Sequence, residues 1–287
     1  MASLTSTRAV ADGVPAVTSA AEPARTATPD EARIRELTET ILKATNIAKP
    51  YEVSIPLLGA SYLKDASLYR DMFIKIFAGF PADPAAETEC LLGKLQGPGK
   101  TFNAWILGRI LVATMQMKDD TAAAKTAAVI FGLLKTSEVD CFSAWAWGYL
   151  AIYCAEKMPA ELEAVQKAMM DCTDALSKKP EEHGKDNVSW AIVMELQSIA
   201  IKDDKAAYGA RLAKLLEFTG TASVLAALRT IPKEDFRAWA TALILSAARK
   251  IGDTALVDSL TAALPEEIAG SPSLGDQMLA LAVARSE

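Results

Sequence analysis

The sequence predicts an all-α fold built from antiparallel helical hairpins, and three observations carry the prediction. Alanine, the strongest helix former, supplies 53 of the 287 residues, against 15 glycines and 13 prolines. No segment alternates apolar and polar residues with period two for long enough to suggest a sheet. A short aromatic motif also recurs, and each copy leads through an apolar stretch and a charged turn into a second apolar stretch.

Residues 1–30 carry Pro15, Pro23 and Pro29 among small side chains. With hardly any large apolar groups to bury, they are expected to form a disordered tail. The Ala/Ser/Thr-rich start matches organellar targeting in composition, but Asp12 and Glu22 arrive early and arginine is sparse, so a plain tail is the reading. Order is expected to begin with Asp30 capping a helix through Ile34, Leu37, Ile41 and Leu42. Pro50 and Pro56 are read as bracketing an extended or irregular connection. A helix over 60–79 follows, then a turn at Pro81-Ala82-Asp83-Pro84 and a second helix to about Gln96. Gly97-Pro98-Gly99 ends it, with Thr101 as the next cap.

From there the repeat takes over. Phe102-Asn103-Ala104-Trp105, Phe142-Ser143-Ala144-Trp145 and Phe236-Arg237-Ala238-Trp239 share the form F-x-A-W, with Asn187-Val188-Ser189-Trp190 a degenerate copy. The four tryptophans are 40, 45 and 49 residues apart. Lys118-Asp119-Asp120 and Lys202-Asp203-Asp204 mark two of the turns, and their aspartates suit the free N–H groups that open a second helix. Phe and Trp three residues apart share one helix face, so Phe102, Trp105, Phe142, Trp145, Trp190, Phe236 and Trp239 are expected to wedge hairpins apart as structural aromatics. A period of about 40–47 residues with two helices per unit is in the HEAT and armadillo range. The hairpins are therefore expected to stack as a solenoid, with a compact helical domain as the alternative. The domain reading is 1–30 tail, 31–100 N-terminal helical region and 101–287 hairpin repeats, the last two continuous.

The chemistry is sparse. Cys90, Cys141, Cys154 and Cys172 are too few for a disulfide framework and lack C-x-x-C spacing, so they read as free thiols in a reducing, cytoplasmic compartment. The uncharged run from Cys141 to Ala155 is shorter than the roughly 20 residues of a membrane span. Gly99-Lys100-Thr101 matches the end of a phosphate-binding loop, but Lys94 stands where the first glycine belongs and Pro98 removes an amide donor. His183 is the single histidine, in a charged stretch read as an exposed loop. One histidine builds neither a metal site nor a catalytic triad, and no nucleophile-elbow or H-E-x-x-H motif occurs. No catalytic residue, cofactor site, metal site or small-molecule substrate is assigned.

The net charge of −6 opposes a strongly basic nucleic-acid domain. Within it, residues 202–250 hold nine basic and five acidic side chains, whereas 251–287 hold six acidic residues and only Arg285. The expected function is a non-enzymatic scaffold or protein-interaction module that binds a protein partner or itself, through the second helices and turns. The alternative is a self-assembling coat protein that packages single-stranded RNA, with Lys205, Arg211, Lys214, Arg229, Lys233 and Arg237 on its phosphates.

Overall fold

The computed structural model of the chain describes residues 28–45, 50–77 and 99–285, and every regular element among them is helical. These are α1 (Pro29–Ala44), α2 (Pro50–Tyr62), α3 (Ala66–Phe77), α4 (Lys100–Gln116), α5 (Asp120–Leu134), α6 (Cys141–Lys157) and α7 (Leu162–Ser177). After them come α8 (Pro180–His183), α9 (Lys185–Ile201), α10 (Lys205–Thr219), α11 (Val224–Leu228), α12 (Arg237–Ile251), α13 (Thr254–Gly270) and α14 (Leu274–Arg285). A 3₁₀ turn, Lys233–Asp235, leads into α12. The disorder expected for the tail, Cys90 and the helix expected to end at Gln96 lie outside the described residues.

The hairpins of the repeat are present: α4 with α5, α6 with α7, α9 with α10 and α12 with α13. Their turns share a local device. Lys118, Asp203 and Gly252 each take the left-handed conformation just past the end of a helix. Asp119, Asp204 and Asp253 then accept the free N–H of Ala122, Ala207 and Leu256. The turn between α2 and α3 repeats it, with Lys64 left-handed and Asp65 accepting from Leu68. A non-glycine residue there carries a Cβ penalty of about 1–2 kcal/mol. Lys118→Gly is therefore expected to stabilise the fold by about 0.5–1 kcal/mol after the extra freedom glycine gains in the unfolded chain. Urea unfolding checks this as a raised midpoint at unchanged slope; an unmoved or lowered midpoint counts against it.

The hairpins do not stack as an open solenoid. Each first helix packs on the next, α2 on α4, α4 on α6, α6 on α9, α9 on α12 and α12 on α14, and α14 returns to α2. Six helices thus form a closed inner ring, with α1, α3, α5, α7, α10 and α13 outside it. At the seam, Thr38 Oγ1 of α1 is 3.1 Å from Met278 Sδ of α14, and Glu31 pairs with Arg285. Gly59 of α2 faces Thr38 and Met278 so closely that a Cβ would collide with both, so glycine lets these helices meet. Gly108 plays the same part between α4 and the ring of Tyr149 on α6. The guanidinium of Arg109 on α4 gives the decisive distance. It lies 3.9 Å from the Trp105 ring of its own helix and 5.8 Å from Trp239 on α12. In an open stack those helices would be three spacings of about 8–10 Å apart.

Inserted short helices account for the uneven tryptophan spacing. The 40-residue step from Trp105 to Trp145 is a bare hairpin, whereas α8 lengthens the next connection and α11 with the 3₁₀ turn lengthens the third.

Several local expectations are corrected. Thr28, not Asp30, caps α1, in a capping box with Glu31 and with Pro29 at the first helical position. Pro50 opens α2 and Pro56 lies inside it, because a ring position that buries Ile55, Leu57, Leu58 and Ala60 outweighs the hydrogen bond that Pro56 forfeits. The helix expected over 60–79 is broken at Lys64-Asp65. Gly99 stands at the cap of α4, while the Thr101 hydroxyl donates instead to Asp140 Oδ2 at 2.5 Å. His183 ends the short helix α8 and is half-buried rather than exposed.

Candidate functional site: the aromatic mouth of the ring

The inner helices run parallel, and their N-terminal ends share one mouth of the ring. The F-x-A-W motif sits at the start of each first helix, so closure gathers the motif aromatics at that mouth. Neighbouring rings touch in sequence around it. Trp105 lies 5.5 Å from Trp145, Trp145 lies 6.2 Å from Trp190, and Trp190 lies 5.4 Å from Trp239. Phe102 and Phe142 pack edge to face at 5.2 Å, and Phe236 reaches Trp239 at 6.1 Å. The aromatics contact one another between neighbouring hairpins and wall a cavity of about 450 Å³. Trp190 and Trp239 are nearly buried; Phe102, Trp105, Phe142, Trp145 and Phe236 are half-buried.

Two backbone features hold this wall. Phe236 precedes α12 rather than lying within it, and it takes a left-handed conformation (φ 61°) that costs a bulky residue about 1–3 kcal/mol. The buried carboxylate of Asp276 on α14 accepts from the backbone N–H of Trp239 at 2.7 Å and of Ala238 at 3.2 Å, fixing the start of α12. Across the mouth, Trp190 Nε1 donates to the carbonyl of Asp235 at 2.8 Å and pins the 3₁₀ turn to α9.

Arg109 forms the floor. It is 1% exposed, the bulkiest of the fully buried side chains, and its guanidinium lies against Trp105. Tyr149, Met194 and Trp239 line both this cavity and a smaller one of about 220 Å³ on the opposite side. That second cavity is lined by Tyr62, Gln116, Ile201 and Lys250 from the C-terminal ends of the inner helices. The axial channel is therefore divided in the middle. Burial pushes the Tyr149 phenol up, with the positive charge of Arg109 pulling the other way.

The rim is acidic, with Asp186, Glu234 and Asp235 on it beside Asn187. Partial desolvation, reinforced by the charges of Asp186 and Glu234, holds the Asp235 carboxyl above the usual carboxylate range. The chain matches no protein-family model, and no curated protein or solved structure is significantly similar to it. The geometry alone therefore frames the site.

None of the six cations expected on RNA lines this cavity, and four of them are engaged. Arg211 contacts Asp174 at 3.1 Å and the buried Glu195 at 3.0 Å, and Lys214 also pairs with Asp174. Arg229 and Arg237 both reach Glu267, each at 2.9 Å. Lys205 and Lys233 are exposed. Four of the six cations expected on RNA phosphates thus pair with carboxylates of other helices. Cys141, Cys154 and Cys172 are free thiols, and burial pushes the first two up to about 11, away from nucleophilic reactivity. Among the described residues no group of His, Cys, Asp and Glu could hold a metal ion, and no helix is long and apolar enough to cross a membrane.

Sequence reasoning singled out the aromatics that wall this site, as structural wedges, and did not single out its floor or rim. Arg109 carried a signal, a single charge within the apolar run Ile106–Val112, one helical turn past Trp105. Asp186, Glu234 and Asp235 carried none, because only the packing of α12 on α9 brings Asp186 to the other two.

Proposed function

We propose that the protein is a non-enzymatic binding module whose binding surface is the aromatic mouth of the ring, formed by the first helices rather than by the second helices and turns. One observation carries this reading: the repeated aromatics, besides packing in and against the core, converge on an open cavity. Concave, mainly apolar sites with a few polar groups at their edge are the usual geometry for capturing a small molecule or a side chain. RNA packaging gains no comparable support, since Arg211, Lys214, Arg229 and Arg237 are held by carboxylates of their own chain. Reversing Arg211 or Arg237 to glutamate would place like charges beside Glu195 or Glu267 and disturb the fold itself.

Fluorine NMR of protein labelled with 5-fluorotryptophan tests the proposal. Trp147, which packs on Phe131, lies outside the cavity and serves as the internal reference. Single-ring fragments of differing charge are expected to shift the resonances of Trp105, Trp145, Trp190 or Trp239 saturably while leaving Trp147 in place. Absence of any saturable shift in the millimolar range, or shifts confined to Trp147, overturns it.

A further inference from the structure

Resting on that reading, we propose that the ligand of the mouth is a small organic cation, a quaternary or tertiary ammonium with an apolar body. Three features of the site converge on this class. The walls are aromatic rings set at steep angles to one another, 87° for Phe102 on Phe142 and for Phe142 on Trp145 and 42–68° for the other neighbouring pairs, so none of these pairs is a parallel stack. Ring faces attract cations through their quadrupole, most of all when water is displaced. The molecule contains its own precedent, because Trp105 already carries the guanidinium of Arg109 at 3.9 Å.

The rim supplies the second attraction. Asp186, Glu234 and Asp235 form no ion pair among the described residues and repel one another, a repulsion that a bound cation relieves. The nearby lysines do not offset them within the cavity. Lys233 extends toward Gly270 at the end of α13, and neither it nor Lys185 lines the wall.

Part of the positive charge at the mouth is already answered. Helix N-termini carry partial positive charge that favours anions. Here the Asp140 carboxylate takes the Ser143 N–H of α6, and Asp276 takes the first N–H groups of α12. Arg109 is buried flat against Trp105 at the floor, beneath the space a ligand would enter. Apart from the first turns of α4 and α9, which open on Gly99 and Gly184 without a side-chain cap, what faces an incoming ligand is aromatic wall and carboxylate rim. The walls close around a space of about 450 Å³ at one end of the ring, which suits a compact molecule rather than an extended chain.

The experiment compares three probes of similar shape on the full chain: phenyltrimethylammonium, its neutral isostere tert-butylbenzene, and benzenesulfonate, each followed by tryptophan fluorine shifts. The cation is expected to bind at least about tenfold more tightly than the neutral isostere, an advantage that weakens as salt is added. The Asp186→Asn/Glu234→Gln/Asp235→Asn variant, its helicity checked by circular dichroism, is expected to lose most of that advantage and keep its affinity for tert-butylbenzene. If tert-butylbenzene binds as well as the cation, the mouth remains a binding site and the cation assignment fails. Preference for benzenesulfonate also overturns the assignment, in favour of Arg109 and the helix N-termini. If none of the three binds, both this inference and the reading beneath it fall. A trimethyllysine peptide preferred over phenyltrimethylammonium would overturn the assignment to a free small molecule.

Discussion

Trp239→Ala is expected to destabilise the fold by about 3–5 kcal/mol, the range for removing a large aromatic from a core that cannot collapse. The ring is 6% exposed and sits where both axial cavities meet, between Trp190 at 5.4 Å and Phe236 at 6.1 Å, with Arg109 at 5.8 Å. Removing it would join the two cavities through the centre of the ring and leave the buried Arg109 guanidinium facing empty space. Trp105→Ala is expected to cost less, about 1–3 kcal/mol, because half-burial leaves less area to lose. Denaturant unfolding of the two variants separates them. Equal losses would show that the wall behaves as one unit, and a loss below about 1 kcal/mol at Trp239 would remove it from the core altogether.

The contrast between those tryptophans shows where sequence reasoning stops. Helices, hairpins and aspartate-capped turns are local, set by spacing and by side chains that reach only a few residues, and they were legible at Asp119 and Asp204. Closure is not local. It depends on a rotation of one sixth of a turn per hairpin, set by how near neighbouring helices approach. Gly59 and Gly108 govern that approach, yet a glycine inside an apolar run shows in sequence only as a weak point in a helix. The same applies to Pro56, whose helical setting comes from burial against α4 and α14 and runs against its own preference.

The site follows the same division. A periodic Phe-Trp pair announced itself, and its placement between neighbouring hairpins was readable from the three-residue offset. That the same rings would also converge on an axis required the ring. The charge pattern of 202–250 misleads for a related reason. A count along the chain registers Arg211 and Arg237 as free cations, whereas their partners Asp174, Glu195 and Glu267 come from other helices.

Glu195 yields the second large effect, on the pH dependence of stability. It is fully buried on α9, and burial raises its carboxyl from 4.5 to about 7, while Arg211, the nearby Thr173 hydroxyl and Lys214 pull it down and Asp174 adds to the rise. Arg211 Nε lies 3.0 Å from Oε2, yet neither carboxylate oxygen accepts a well-aligned hydrogen bond, so the pair does not repay the desolvation of the charge. A carboxyl raised in the folded state binds its proton more tightly there than in the unfolded chain. Its contribution is therefore complete below about pH 4.5 and is lost as pH rises through about 7. At full ionisation the loss is about 3 kcal/mol. Glutamine imitates the protonated form, so Glu195→Gln is expected to match the wild type near pH 4.5 and to become progressively more stable than it up to pH 8. Asp65 and Asp174 have lowered carboxyls and contribute the opposite slope, lost as pH falls through the acid range. Asp65 remains unchanged in both proteins, and Asp174, which shares Arg211 with Glu195, titrates in the acid range, so the change in the difference between the two unfolding curves from pH 4.5 to 8 reports Glu195. A difference that does not change with pH would show a carboxylate ionised throughout. A glutamine variant that loses ground as pH rises would show that the pair with Arg211 outweighs burial.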